Sequence, residues 1–215
     1  MGSAIARARV KGFQGEDLKA THTILAPVKH FAAYGASLAG RDYNTVEMSD
    51  RELRQTYLPP YKAALDAGAA TVMTSFNEVH GIPASGSKYL MTDILRKEWG
   101  FDGLVVTDYT SINEMVPHGY SKDLKHAAKQ AIYAVVDMDM QGAVYYDHLE
   151  SLVEEGKVSM STIDQDVRNI LRLKFKLGLF EDSCRYSDAE REKNKGITKA
   201  HRQAARDVAK NLSSC

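Results

Sequence analysis

Four short runs of the chain are apolar at consecutive positions rather than at every second one: Ile24–Val28, Thr71–Phe76, Leu104–Thr107 and Val135–Met138. Strands covered on both faces need this pattern, because both rows of side chains leave water, and parallel sheets flanked by helices are where such strands occur. Between the runs, apolar positions change to helical spacing. Ser49 and Glu52 stand at capping-box spacing and open a helix that Pro59-Pro60 interrupts, that resumes through Tyr61 and Leu65, and that Gly68 stops. Leu90, Ile94 and Leu95 form a stripe ended by Gly100, and Leu149, Leu152 and Val153 a short helix. Ile163, Val167, Ile170, Leu171 and Phe175 share one face of a longer helix that comes after Ser161 and ends at Gly178, and a last helix is expected over Thr198 to Leu212.

Strands alternating with helices at βαβ spacing imply an α/β fold with parallel strands. Polar residues gather where each strand is expected to end: Lys29-His30, Asn77, Asp108 and Asp139. Chemistry at those ends is common to (β/α) barrels and doubly wound sheets, but no glycine-rich phosphate loop succeeds any strand, which favours the barrel. A closed barrel needs eight strands in about 250 residues, whereas this chain of 215 residues offers about four. The expected fold is therefore a partial (β/α) TIM-type barrel.

Composition narrows the function. Lys plus Arg (28) equals Asp plus Glu (28), so no basic surface exists to collect phosphates, and a nucleic-acid partner is not expected. No apolar run reaches the length of a membrane span. The two cysteines, Cys184 and Cys215, form no CxxC, and His22, His80, His118, His126, His148 and His201 lack metal-ligand spacing and read as surface or loop residues. No metal or organic cofactor is expected. Met1–Lys11 has no signal-peptide character, and Asn211-Leu212-Ser213 fits a glycosylation pattern too common to weigh.

Six motifs in order, VKHFAAYG (28–35) with GRDYNT (40–45), TSFNEVHGIP (74–83), GFDGLVVTDY (100–109), MDMQG (138–142) and RLKFKLGLFED (172–182), resemble the barrel domain of glycoside hydrolase family 3. The resemblance implies that residues 1–215 are the C-terminal half of that barrel, with the N-terminal half and a further sandwich domain absent and Met1 an internal start. It makes Asp108 the nucleophile of a retaining glycosidase, although an Asp after a strand also serves as a helix cap. Lys29 and His30 resemble the pair that binds sugar hydroxyls, and Arg41 and Asp42 belong to a loop beside the site, with a structural ion pair as an equal alternative. Tyr109 stands where many relatives have Trp, and Phe76 is either a second apolar wall or core. Asp139 is a weaker candidate, because Val135-Val136 and Gln141 depart from the family pattern.

One family branch uses an Asp-His dyad as acid/base in a KHFPGHG-like loop; here Tyr34 replaces the histidine, and no other histidine occurs from Phe31 to Ser49. The implied activity is an exo-acting β-glucosidase releasing terminal β-D-glucosyl residues from a β-glucoside or oligosaccharide, whose acid/base Glu lies outside this chain. A β-xylosidase and a non-catalytic carbohydrate-binding or assembly fragment are the alternatives. The longer parent is expected to be secreted or periplasmic, and the open strand edges of a half-barrel are expected to promote self-association.

Overall fold

The computed structural model of the chain describes residues 1–212, so Ser213 of the glycosylation pattern and Cys215 lie outside the described residues. Two compact units are present, Met1–Leu177 and a second beginning at Gly178. The second contains α7 (Ala189–Lys195), capped by the Asp188 carboxylate, and α8 (Lys199–Leu212).

The first unit opens with α1 (Gly2–Gln14), whose last residue anchors the entries to two strands. Gln14 is buried; its Nε2 donates to Gly68 O at 2.7 Å, and its Oε1 accepts from Ala26 N at 3.2 Å and Ala70 N at 3.4 Å. One amide thus fixes the starts of β1 (Pro27–Phe31) and β2 (Thr71–Thr74). With Ile24 N also donating to Phe13 O, the residues before Pro27 are engaged with α1. For this reason β1 begins three positions later than the expected Ile24–Val28 strand, and Ile24 is 62% exposed.

A parallel sheet in the order β1-β2-β5, with β5 spanning Leu104–Val106, realises the α/β pattern. The expected fourth strand is reduced to a single bridge between Val106 and Met138. Val135 leaves the preceding helix with φ +69°, and the Asp137 side chain, rather than a backbone carbonyl, takes the Val105 N–H at 2.6 Å. A short hairpin, β3 (Glu78–Val79) with β4 (Ile82–Pro83), was not anticipated.

Between β1 and β2 run α2 (Asp50–Glu52), a π-wound stretch Leu53–Tyr57, and α3 (Leu58–Asp66). The Ser49 hydroxyl caps the start, accepting from Glu52 N at 3.1 Å. Pro59 and Pro60 do not interrupt this run; they fall in the first turn of α3, where a missing N–H costs little. A π-wound helix (Tyr89–Glu98) precedes β5, and α4 (Leu124–Tyr133), α5 (Val144–Glu154) and α6 (Met160–Lys176) come after it. Ser159, not Ser161, caps α6.

The core behind the sheet contains Phe31, Leu53, Val72, Leu90, Ile94 and Leu95, none of them exposed to solvent. Helix α6 packs differently from its apolar stripe: Val167, Leu171 and Phe175 are 45%, 43% and 61% exposed, while Asp166, Asn169 and Leu173 are buried. Polar residues face inward because they meet a buried charge. Asp137 accepts from Arg96 Nη2 at 2.7 Å and from Asn169 Nδ2 at 2.7 Å, and Arg96 also donates to the carbonyls of Phe101 and Gly103.

Asp166 is buried near enough to Asp137 to feel its charge, and its Oδ2 is without a hydrogen-bond partner. Burial first, and then the Asp137 charge, push the Asp166 carboxyl up to about 8. Because the folded state holds this proton above the pH at which an unfolded Asp releases it, stability falls as pH rises from about 4 to about 8 and levels beyond. Asp166→Asn removes that dependence. The gain in melting temperature over the parent chain is expected to widen across this interval, and thermal melts at several pH values check it; a gap that is constant with pH would contradict the assignment.

Candidate active site

The ends of β1 and β5 bring His30 and Asp108 together, with His30 Nε2 3.1 Å from Asp108 Oδ2. Burial, then the Lys29 charge, lowers the His30 pKa below its ordinary 6.5, against the opposing pull of Asp108 and Asp42. Tyr61 Oη donates to His30 O at 2.6 Å and fixes the backbone from α3.

Asp108 does not cap a helix. Its Oδ1 accepts from the next residue, Tyr109 N, at 2.7 Å, which turns Oδ2 toward His30. The surrounding loop is held on both sides. Thr107 N donates to Met138 O, Thr107 Oγ1 accepts from Met140 N at 2.7 Å, and Thr110 N reaches Met140 O. Beneath it, the hydroxyls of Thr74, Ser85 and Ser111 form a buried cluster with separations of 2.7, 2.7 and 3.3 Å.

The other anticipated residues divide. Asp42 joins the cluster, accepting the Tyr34 hydroxyl and Tyr43 N, and its charge is felt at His30. The Tyr34 ring meets the His30 ring edge-on at 5.1 Å, and burial followed by the Asp42 hydrogen bond raises its hydroxyl pKa. Phe76 is buried and packs against Tyr43 with centroids 4.4 Å apart, forming an aromatic wall with Tyr34. Tyr109 is 56% exposed. Lys29 is exposed, and among the described residues no hydrogen bond or ion pair joins it to Asp108. Arg41 is exposed, and no ion pair links it to Asp42 among the described residues, so that alternative does not form. Asp139 is a helix cap, with Oδ2 accepting from Val144 N and Tyr145 N of α5.

Reading the sequence missed a second pair. Glu78 Oε1 lies 2.9 Å from His118 Nδ1, and Thr45 Oγ1 donates to Glu78 Oε2 at 3.2 Å. His118 lies in a loop, as expected, but is paired there: this bridge joins the loops that succeed β1, β2 and β5, including the one that presents Asp42 and Tyr43.

Against known proteins, residues 1–173 match the model of the glycosyl hydrolase family 3 N terminal domain. The chain belongs to glycosyl hydrolase family 3. A periplasmic beta-glucosidase of Salmonella typhimurium is 39% identical over 97% of this chain and 28% of its own length. A beta-xylosidase of Formosa agariphila is 33% identical over 94% of the chain and 29% of its own. The crystal structure of a mutant beta-glucosidase from Listeria innocua in complex with laminaribiose superposes with a TM-score of 0.91 at 44% identity, covering 95% of this chain and 29% of that one. The chain therefore spans less than a third of the length of these relatives, and its parallel strands and flanking helices form part of an α/β barrel.

Because the Asp108 charge is one of two that raise the His30 pKa, Asp108→Asn is expected to lower it further. NMR titration of the imidazole in the two chains measures this; an unchanged or higher value would separate the two residues.

Proposed function

We propose that this chain is the nucleophile-bearing part of a retaining, exo-acting β-glucosidase, and that it works within a longer enzyme. The contact of His30 Nε2 with Asp108 Oδ2 at the mouth of the strands carries this reading, since it aims a carboxylate beside a hydrogen-bonding imidazole and an aromatic wall. Asp108 attacks the anomeric carbon and forms a glycosyl ester as the bond to the leaving oxygen breaks. A second carboxyl protonates that oxygen, then deprotonates the water that hydrolyses the ester. Asp42 is engaged by Tyr34 and Tyr43, so the second carboxyl is assigned to a part of the parent enzyme outside this sequence. In this scheme His30, Lys29 and Asp42 hold sugar hydroxyls, Arg41 borders the site, and Phe76 and Tyr109 form its apolar walls.

The name of the Salmonella relative supports the glucoside over the xyloside reading and a periplasmic or secreted parent. The Formosa relative keeps β-xylosidase as the second reading. Among the described residues no helix is long and apolar enough to cross a membrane.

A 2-deoxy-2-fluoro-β-glucoside with a good leaving group retains the need for a nucleophile while lowering the need for an acid. Incubation with it is expected to add one fluoroglucosyl group to Asp108, seen by peptide mass spectrometry, and Asp108→Ala should abolish the adduct. With nitrophenyl β-glucoside, turnover is expected to be about 10² to 10⁴-fold below that of a full-length relative, the worth of general acid catalysis. Labelling elsewhere, or turnover that survives Asp108→Ala, would defeat the reading.

The free side of β1 and the far side of Val135–Met138 carry backbone groups without strand partners among the described residues, which supports self-association. Light scattering after size exclusion is expected to show a mass above the monomer's that rises with concentration; a concentration-independent monomer would count against it.

A further inference from the structure

On the flank of the barrel, apart from the Asp108 cluster, a groove of about 400 Å³ runs between α4 and the start of the π-wound helix. Its walls include Tyr89, Tyr120 and Tyr133, and its polar groups include Lys88, Lys129 and Gln130. Two of the three rings are tethered by their hydroxyls, Tyr89 to Asp50 and Tyr133 to Lys157 O at 2.8 Å, so what these two offer a ligand is their rings rather than free hydroxyls. Tyr120 lies so close to Gly86 that a Cβ there would stand 2.8 Å from the ring, so the glycine makes room for it.

The charges are one-sided. No lining residue is a carboxylate, and the carboxylates on adjoining elements are already engaged. Asp50 pairs with Arg54, Asp123 caps α4 through His126 N, and Glu155 holds Lys125 and Lys157. Lys129 is half-buried without a carboxylate partner among the described residues, and Lys88 Nζ sits 5.5 Å over the Tyr133 ring. The Gln130 Oε1 is taken by the Ser121 hydroxyl, leaving its amide N–H groups to donate. The groove therefore offers cations, donors and aromatic faces but no strong acceptor. Hydroxyls of any sugar can accept from these donors, but only a pyranose bearing a carboxylate adds a charged acceptor to match the two cations.

We propose that this groove binds a hexuronate unit, with the pyranose face against the tyrosines and the carboxylate at Lys129 and Lys88. The site is independent of the hydrolytic reading, since it shares no residue with the Asp108 cluster.

The test is titration of the ¹⁵N-labelled full chain with glucuronate, glucose and sulfate separately. Glucuronate is expected to shift the amides of residues 86–89 and 126–133, more weakly as salt is added. Lys129→Met should weaken binding about tenfold, Lys129→Arg should retain it, and Tyr133→Ala should weaken it without abolishing the response to charge. The amide spectrum of each variant reports that it is folded, and Lys88→Met serves in place of any that is not. Equal binding of glucose, equal binding of sulfate, shifts confined to His30 and Asp108, or no shift at millimolar glucuronate would each overturn the proposal.

Discussion

Asp137 is the buried charge on which the rest of the first unit hangs. Its carboxylate is fully shielded from solvent and holds Arg96, the Val105 N–H and Asn169 at once. Removing a carboxylate from water costs several kcal/mol, and Asp137 itself is pushed toward its protonated form by burial despite these partners. Losing Arg96 would leave an uncompensated charge, a change that typically destabilises by about 3 to 5 kcal/mol. Through these bonds one residue ties β5, the π-wound helix and α6 together, and β5 is the strand that leads into Asp108.

The site inherits its precision from backbone rather than from long side chains. Asp108 is oriented by the amide of its neighbour, its loop by the carbonyls and amides of residues 138–140, and its floor by three buried hydroxyls. Such a mount resists the entropy of an exposed loop, since the exposed bond to Asp108 rests on a floor of buried ones. The Glu78 and His118 bridge does the same for the rim. Nothing in it touches Asp108, but it links the loops that carry the flanking groups.

Legibility in the sequence divides along the same line. Local rules found the Ser49 cap, the π-wound helix stripe and its Gly100 stop, and motif order placed Asp108, His30 and Phe76 in one region. Phase and partnership were not local. The start of β1 depends on Gln14, more than ten residues earlier, and the loss of the fourth strand depends on the Asp137 side chain substituting for a backbone acceptor. The apolar stripe of α6 pointed to one face, yet the buried charge drew Asp166 and Asn169 inward instead. Glu78 and His118 stand forty positions apart, and no spacing rule connects a hairpin carboxylate with a loop imidazole at that distance.

The unpaired side of β1 has a bearing on chemistry as well as on shape. Lys29 and His30 are carried by this strand, whose only ladder partner among the described residues is β2. A strand hydrogen-bonded on one side has more freedom to slide and twist than one bonded on both. Whatever occupies the second side also sets how firmly the imidazole is held against Asp108, so that completion of the sheet and the sharpness of this contact become a single equilibrium.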